Sequence, residues 1–136
     1  MKMKLCPFIF LLALLLVSCD SYFKKLKGTD YSVGWIDMPQ TTTVYYDFPD
    51  GTGSRVGINI GGGVTDVYWN KNYILAKRWH PYADTLIGYY VIKIFPPAKK
   101  AIPCKTTGPL SEKEYEKIKK ELGLNEKDMR HINLME

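Results

Sequence analysis

Histidine occurs twice in this chain and cysteine three times, and neither recurs at short spacing. Zinc needs three or four ligands at close quarters, so His80, His131 and Cys104 would have to converge from distant stretches. No nucleophile-elbow motif surrounds a serine. Gly61-Gly62-Gly63 follows a strand-like run, as a phosphate loop would, but no Gly-Lys-Ser or Gly-Lys-Thr comes after it. A bulge or wide turn accounts for these glycines. Asp47, Asp50 and Gly51 lack the alternating oxygen ligands and the closing glutamate of a calcium loop, and read as a hairpin turn. No segment repeats at a fixed period, and none is of low complexity. No apolar run reaches the roughly 20 residues of a spanning helix. These absences leave no metal, no cofactor and no catalytic residue to name. The exception to weigh is Cys104 paired with a histidine, with Lys105 beside it to favour the thiolate.

The longest apolar run is Leu5 to Val17, thirteen residues, with Lys2 and Lys4 before it and Ser18-Cys19 after it. Charge, apolar stretch and a small residue before a cysteine form a secretory signal. Leu16 is too large for an ordinary cleavage site. Leu16-Val17-Ser18-Cys19 instead resembles the lipobox of bacterial lipoproteins. That resemblance implies cleavage before Cys19, lipid on Cys19, and a membrane-held protein of the bacterial cell envelope, with leaflet and membrane unspecified. The chain then divides into a signal peptide at 1–18, a lipidated cysteine and tether at 19–30, and one β-rich domain at 31–136.

Cleavage changes the charge and the thiol inventory. Lys2 and Lys4 leave with the signal, which takes the formal charge from +5 to +3. That is a weak basis for nucleic-acid binding, and an exported protein does not ordinarily meet nucleic acid. Cys6 also leaves, Cys19 carries lipid, and Cys104 has no partner for an intramolecular disulfide. It is a buried thiol, an exposed reactive one or one arm of an intermolecular bridge. Lys24, Lys25 and Lys27 either meet an anionic leaflet, at about 1 kcal/mol each, or are solvated. With no disulfide, the domain depends on its apolar core. Three tryptophans and ten tyrosines supply it, each burying ~150–250 Å².

From Tyr31 onward the pattern is period two. Tyr31–Asp37, Thr43–Phe48, Arg55–Ile60, Val64–Trp69, Tyr73–Trp79 and Gly88–Phe95 are strand-like runs. Val56, Ile58 and Ile60 share a face, as do Thr65, Val67 and Trp69. Pro49-Asp50-Gly51-Thr52-Gly53 is turn chemistry. Asn70-Lys71-Asn72 closes a hairpin over 64–79, with asparagine in the left-handed conformation. Gly88–Phe95 is apolar on both faces, which fits a central or helix-covered strand. The period changes near the C-terminus. Ser111 and Glu114 make a capping box, and Leu110 and Tyr115 a hydrophobic staple. Tyr115, Ile118 and Leu122 form an apolar stripe that needs the 88–95 strand as its partner. Gly123 ends the helix, with Leu124 folding back on Ile118. Asn125 caps a second short helix to His131. The fold class is therefore α+β: an antiparallel sheet of five to seven short strands with a C-terminal helix packed on one face.

Several segments together resemble an uncharacterised family of small bacterial lipoproteins: Asp30-Tyr31-Ser32-Val33, Val67-Tyr68-Trp69, Tyr73-Ile74-Leu75-Ala76-Lys77, Tyr89-Tyr90-Val91-Ile92, and Gly108-Pro109-Leu110-Ser111-Glu112-Lys113-Glu114-Tyr115. The resemblance implies sheet strands followed by a Gly-Pro-Leu entry to a terminal helix. It implies no catalytic residue and no ligand. The aromatic excess points to an exposed platform, with Trp79, His80 and Tyr82 at a strand end as partner-binding residues. The expected role is a non-enzymatic interaction module that meets an envelope protein or a cell-wall glycan. The alternative is an envelope hydrolase or an enzyme-inhibitor-like domain.

Overall fold

The computed structural model describes residues 21–97 and 101–135. The expected signal segment at 1–18 and the expected lipidation position Cys19 lie outside the described residues. No helix among the described residues is long and apolar enough to cross a membrane.

Among the described residues, nine strands form two antiparallel sheets, with one α-helix near the C-terminus. The first sheet is a meander of β1 (Ser21–Lys25), β2 (Tyr31–Ile36), β3 (Thr43–Asp47) and β4 (Arg55–Gly57), in that order across the sheet. The second contains β5 (Val64–Trp69), β6 (Tyr73–Trp79), β7 (Leu86–Ile94), β8 (Cys104–Leu110) and β9 (Arg130–Asn133). Its spatial order is β8-β7-β6-β5-β9. The α+β class and the C-terminal helix are as expected. The strand count is higher because β1, β8 and β9 carry almost no apolar alternation.

The inner faces of the two sheets share one core. Tyr31, Val33, Val44 and Tyr46 come from the first sheet, and Val67, Trp69, Ile74, Ala76, Tyr90 and Ile92 from the second. Each buried aliphatic side chain contributes about 1.5–3 kcal/mol by leaving water. Two side chains tie the layers: Tyr31 Oη donates to the Pro103 carbonyl at 3.1 Å, and Trp69 Nε1 to the Lys27 carbonyl at 3.0 Å. Cys104 packs against this core, half-buried, and burial pushes its thiol pKa up. That disfavours the thiolate which Lys105 was expected to promote.

The helix α1 (Glu112–Glu121) covers the outer face of the second sheet. Both ends are built as the sequence specifies. The Ser111 hydroxyl accepts from the Glu114 amide, and the Glu114 side chain accepts from the Ser111 amide. At the other end Gly123 has φ +68°. The amides of Gly123 and Leu124 return to the carbonyls of Lys120 and Lys119, a Schellman closure. Leu110 and Tyr115 pack with Leu75 and Val91, and Ile118 and Leu124 flank them. This is why β7 is apolar on both sides: Tyr90 and Ile92 face the inter-sheet core, Val91 and Tyr89 the helix.

Some local expectations are corrected. Ser21–Lys25, expected as tether, is β1 and pairs along its whole length with β2. Asn125 caps only the single 3₁₀ turn Glu126–Asp128, and the chain through His131 becomes strand β9. β4 stops at Gly57, because Asn59 takes φ +65°. Val56, opposite Tyr46 on this edge strand, is exposed, while Ile58 and Ile60 are buried. The loop after β5 does not use left-handed asparagine. Asn70 Oδ1 instead accepts from the amides of Asn72 and Tyr73, both at 2.8 Å.

Candidate functional site

A cleft of about 230 Å³ opens between α1 and the outer face of the second sheet. Residues facing outward from the core line its floor: Asp66 and Tyr68 from β5, Leu75 and Lys77 from β6, and Tyr89 from β7. The period of two that sends Val67 and Trp69 inward sends Asp66 and Tyr68 here. The wall is Glu112, Tyr115 and Glu116 from the helix, with Glu126 from the 3₁₀ turn.

Two aromatic stacks frame the cleft. The rings of Tyr89 and Tyr115 lie 4.4 Å apart and nearly parallel. Tyr68 stacks on His131 of β9 at 4.1 Å. His131 Nε2 is 2.9 Å from Asp66 Oδ1, so Asp66 orients the ring that supports Tyr68. Lys77 Nζ lies 5.8 Å from the centre of the Tyr89 ring and 5.5 Å from that of Trp79. The aromatic surface thus runs from the cleft to the end of β6.

A charged network holds the helix end of the cleft. Lys119 Nζ, largely buried, lies 2.6 Å from Glu126 Oε1 and 2.9 Å from Glu116 Oε1. The Tyr115 hydroxyl donates to Glu126 Oε1 at 2.9 Å. Burial pushes the Tyr115 phenol far up, and its bond to Glu126 adds to the shift. Burial by itself would raise Glu126 and lower Lys119. Their mutual hydrogen bonds outweigh it, so the Glu126 carboxyl is held below its usual range and the Lys119 ammonium above. Both groups are charged at neutral pH. The cleft presents Asp66, Glu112, Glu116 and Glu126 against Lys77, with Lys119 spent on two of the four acids. Its surplus is negative.

The three residues expected at a partner site are split. Trp79 is half-buried and reaches the cleft through Lys77. His80 and Tyr82 stand out on the following loop, Tyr82 at 69% exposure. There the Tyr82 amide donates to His80 Nδ1 at 3.1 Å, and the two rings meet edge to face. Cys104, His80 and His131 occupy three different places. Among the described residues, no three Cys, His, Asp or Glu side chains gather as a metal site. The strand period marks Asp66 and Tyr68 as sharing a face of β5, and Tyr89 and Val91 one of β7, but not that the two faces coincide. Nothing local marks Glu126 or His131, which join only when β9 pairs with β5.

No family model matches the chain, and neither a curated protein nor a solved structure matches it.

Proposed function

We propose that this chain is a lipid-anchored lipoprotein of the bacterial cell envelope, of the uncharacterised small-lipoprotein kind it resembles, whose domain is a non-enzymatic binding module. The address rests on the Lys2–Cys19 pattern. The binding role rests on one observation: an acid-rich cleft floored and walled by tyrosines. At about 230 Å³ it falls short of the ~300–1,000 Å³ of typical small-molecule sites. It fits one side-chain head better than a whole metabolite. Surplus carboxylates beside aromatic rings suit a cation, with cation–π attraction adding about 0.5–1 kcal/mol. A sugar brings no positive charge to the surplus carboxylates, and the cleft is small for a ring with its neighbours in a glycan chain. A basic side chain of an envelope protein is the better occupant than a cell-wall glycan.

Two measurements test this reading. Nα-acetyl-lysine amide and Nα-acetyl-arginine amide should shift the Tyr68 and Tyr89 ring resonances. Nα-acetyl-norleucine amide should not, and Glu112→Gln with Glu116→Gln should weaken the response. Shifts induced only by a chitin oligosaccharide, or by none of these probes, would sink the cationic reading. In the host, Cys19→Ala should leave the Lys2–Ser18 segment uncleaved and without lipid; a variant trimmed as the wild type is would count against the anchor.

A further inference from the structure

The anchor reading has a geometric consequence once β1 is seen to be a strand. Cys19 is two residues before Ser21, so its backbone lies within about 7 Å of the first residue of β1. β1 is not slack chain, since Ser21 pairs with Ile36 and Tyr22 with Trp35. Cross-strand partners sit about 5 Å apart. A lipid on Cys19 therefore brings one particular corner of the first sheet to the bilayer.

That corner is the apolar one. Tyr22 is 46% exposed, Ile36 51% and Met38 43%. Trp35 is half-buried and its ring stacks on Tyr22 at 6.5 Å. Tyr22 and Trp35 lie on one face of the β1–β2 ribbon, and Ile36 lies on the other, so the apolar groups wrap the end of the sheet. Tryptophan and tyrosine favour the membrane–water interface, where an apolar ring and a polar edge are both satisfied. The tether lysines, for which leaflet contact and solvation were both open, are placed less well for the first. Lys24 and Lys25 sit about 10–14 Å further along the strand. Lys25 Nζ is also engaged by Asp47 at 3.2 Å. Among the described residues, the exposed charge at the corner itself is Asp37, an acid.

We infer that the Tyr22–Trp35–Ile36–Met38 corner is a membrane-docking surface that seats in the phospholipid interface beside the acylated Cys19. The inference rests on the anchor reading. It adds that the domain stands in a fixed orientation, and that docking uses aromatic and apolar groups without an anionic lipid.

The test uses the mature chain, residues 19–136, carrying Cys104→Ala so that Cys19 is its single thiol. Cys19 is coupled to a maleimide lipid in phosphatidylcholine vesicles, and brominated acyl chains serve as the quencher. Bromolipid should quench part of the tryptophan emission. That quenching should vanish with Trp35→Phe and persist with Trp79→Phe. Ile36→Asp with Met38→Asp changes only exposed side chains and should also abolish it, with the circular dichroism spectrum unchanged. Replacing part of the phosphatidylcholine by phosphatidylglycerol should leave the quenching as it was. Absence of quenching, quenching that survives the double aspartate variant, or quenching that requires phosphatidylglycerol would each overturn the inference. So would a corner protected in the uncoupled chain by self-association. Incorporation of an alkyne fatty acid at Cys19 in the host separates the two claims. No incorporation sinks the anchor reading whatever the vesicles show. Incorporation without quenching sinks the docking surface alone.

Discussion

Gly63 enters β5 with φ +93°, and a Cβ there would overlap the Trp79 carbonyl oxygen. Its own carbonyl accepts from the Trp79 amide at 2.9 Å. Gly63→Ala should therefore cost at least about 2 kcal/mol, from backbone strain together with a displaced partner strand. Gly51→Ala, at φ +82° in open space, should cost only about 1 kcal/mol, the conformational part alone. Urea midpoints of the two variants would check the ratio; equal losses would refute the steric account. The triple glycine was legible in the sequence as a turn, but which glycine matters depends on where β6 ends. The Glu126 network makes a second residue-scale prediction. A carboxyl held below its usual range stabilises the fold above the unfolded pKa, about 4.3, and loses that contribution as pH falls through the folded value. Lys119, held above its usual range, contributes fully below about 10.4 and loses it as pH rises through its folded value. Glu126→Gln should cost about 1–2 kcal/mol at neutral pH, with the deficit shrinking below pH ~4 as the wild-type carboxyl protonates. A deficit independent of pH would contradict the charge assignment.

At the scale of elements, α1 was readable because both of its ends are local chemistry. A capping box needs residues three apart, and a Schellman closure needs a glycine just past the last turn. Ser111→Ala should remove about 1 kcal/mol, seen as a lower urea midpoint with little change in helical signal at 20 °C or thereabouts. A neutral result would mean that packing of Tyr115 alone holds the helix start. The strands that escaped the sequence share one property: β1, β8 and β9 are all edges. An edge strand buries little, so its hydrophobic alternation is weak, and charge or proline on it is tolerated. β1 has no buried residue, and β9 buries only Ile132. β8 holds Pro109, whose missing amide costs nothing on an unpaired side. β1 is held mainly by pairing, and Gly34 lets it approach, since a Cβ at 34 would overlap the Tyr22 carbonyl. Gly34→Ala should peel β1 away. Hydrogen exchange would show the 21–25 amides losing protection while those of β6 and β7 keep it. Uniform loss across both sheets would mean that β1 is part of the cooperative core.

At the scale of the whole molecule, the described residues form three layers: first sheet, second sheet, helix. The middle layer packs apolar side chains against the first sheet on one side and, through Leu75 and Val91, against the helix on the other, so one cooperative transition is expected. Tyr31 links the sheets through its hydroxyl bond to Pro103. Tyr31→Phe should lower stability by only about 0.5–1.5 kcal/mol, because the Pro103 carbonyl loses one of its two donors and keeps the Phe95 amide at 2.7 Å. Tryptophan fluorescence and far-ultraviolet circular dichroism should still report coincident urea curves; separated curves would show sheets that unfold independently. By itself the sequence determined the central strands, the turns at 49–53 and 70–72, and the helix with both its caps. Each of these is encoded by neighbours within a few residues, through a period of two, a period near 3.6, or side chains that bond their own backbone. Only the tertiary structure decided that the strands split into two sheets, that β1 and β9 exist, and that Asp66, Tyr68, Tyr89, Tyr115, Glu126 and His131 meet in one cleft. Those are long-range pairings, in which marginal segments gain order from a surface already folded, and no local pattern of residues carries that information.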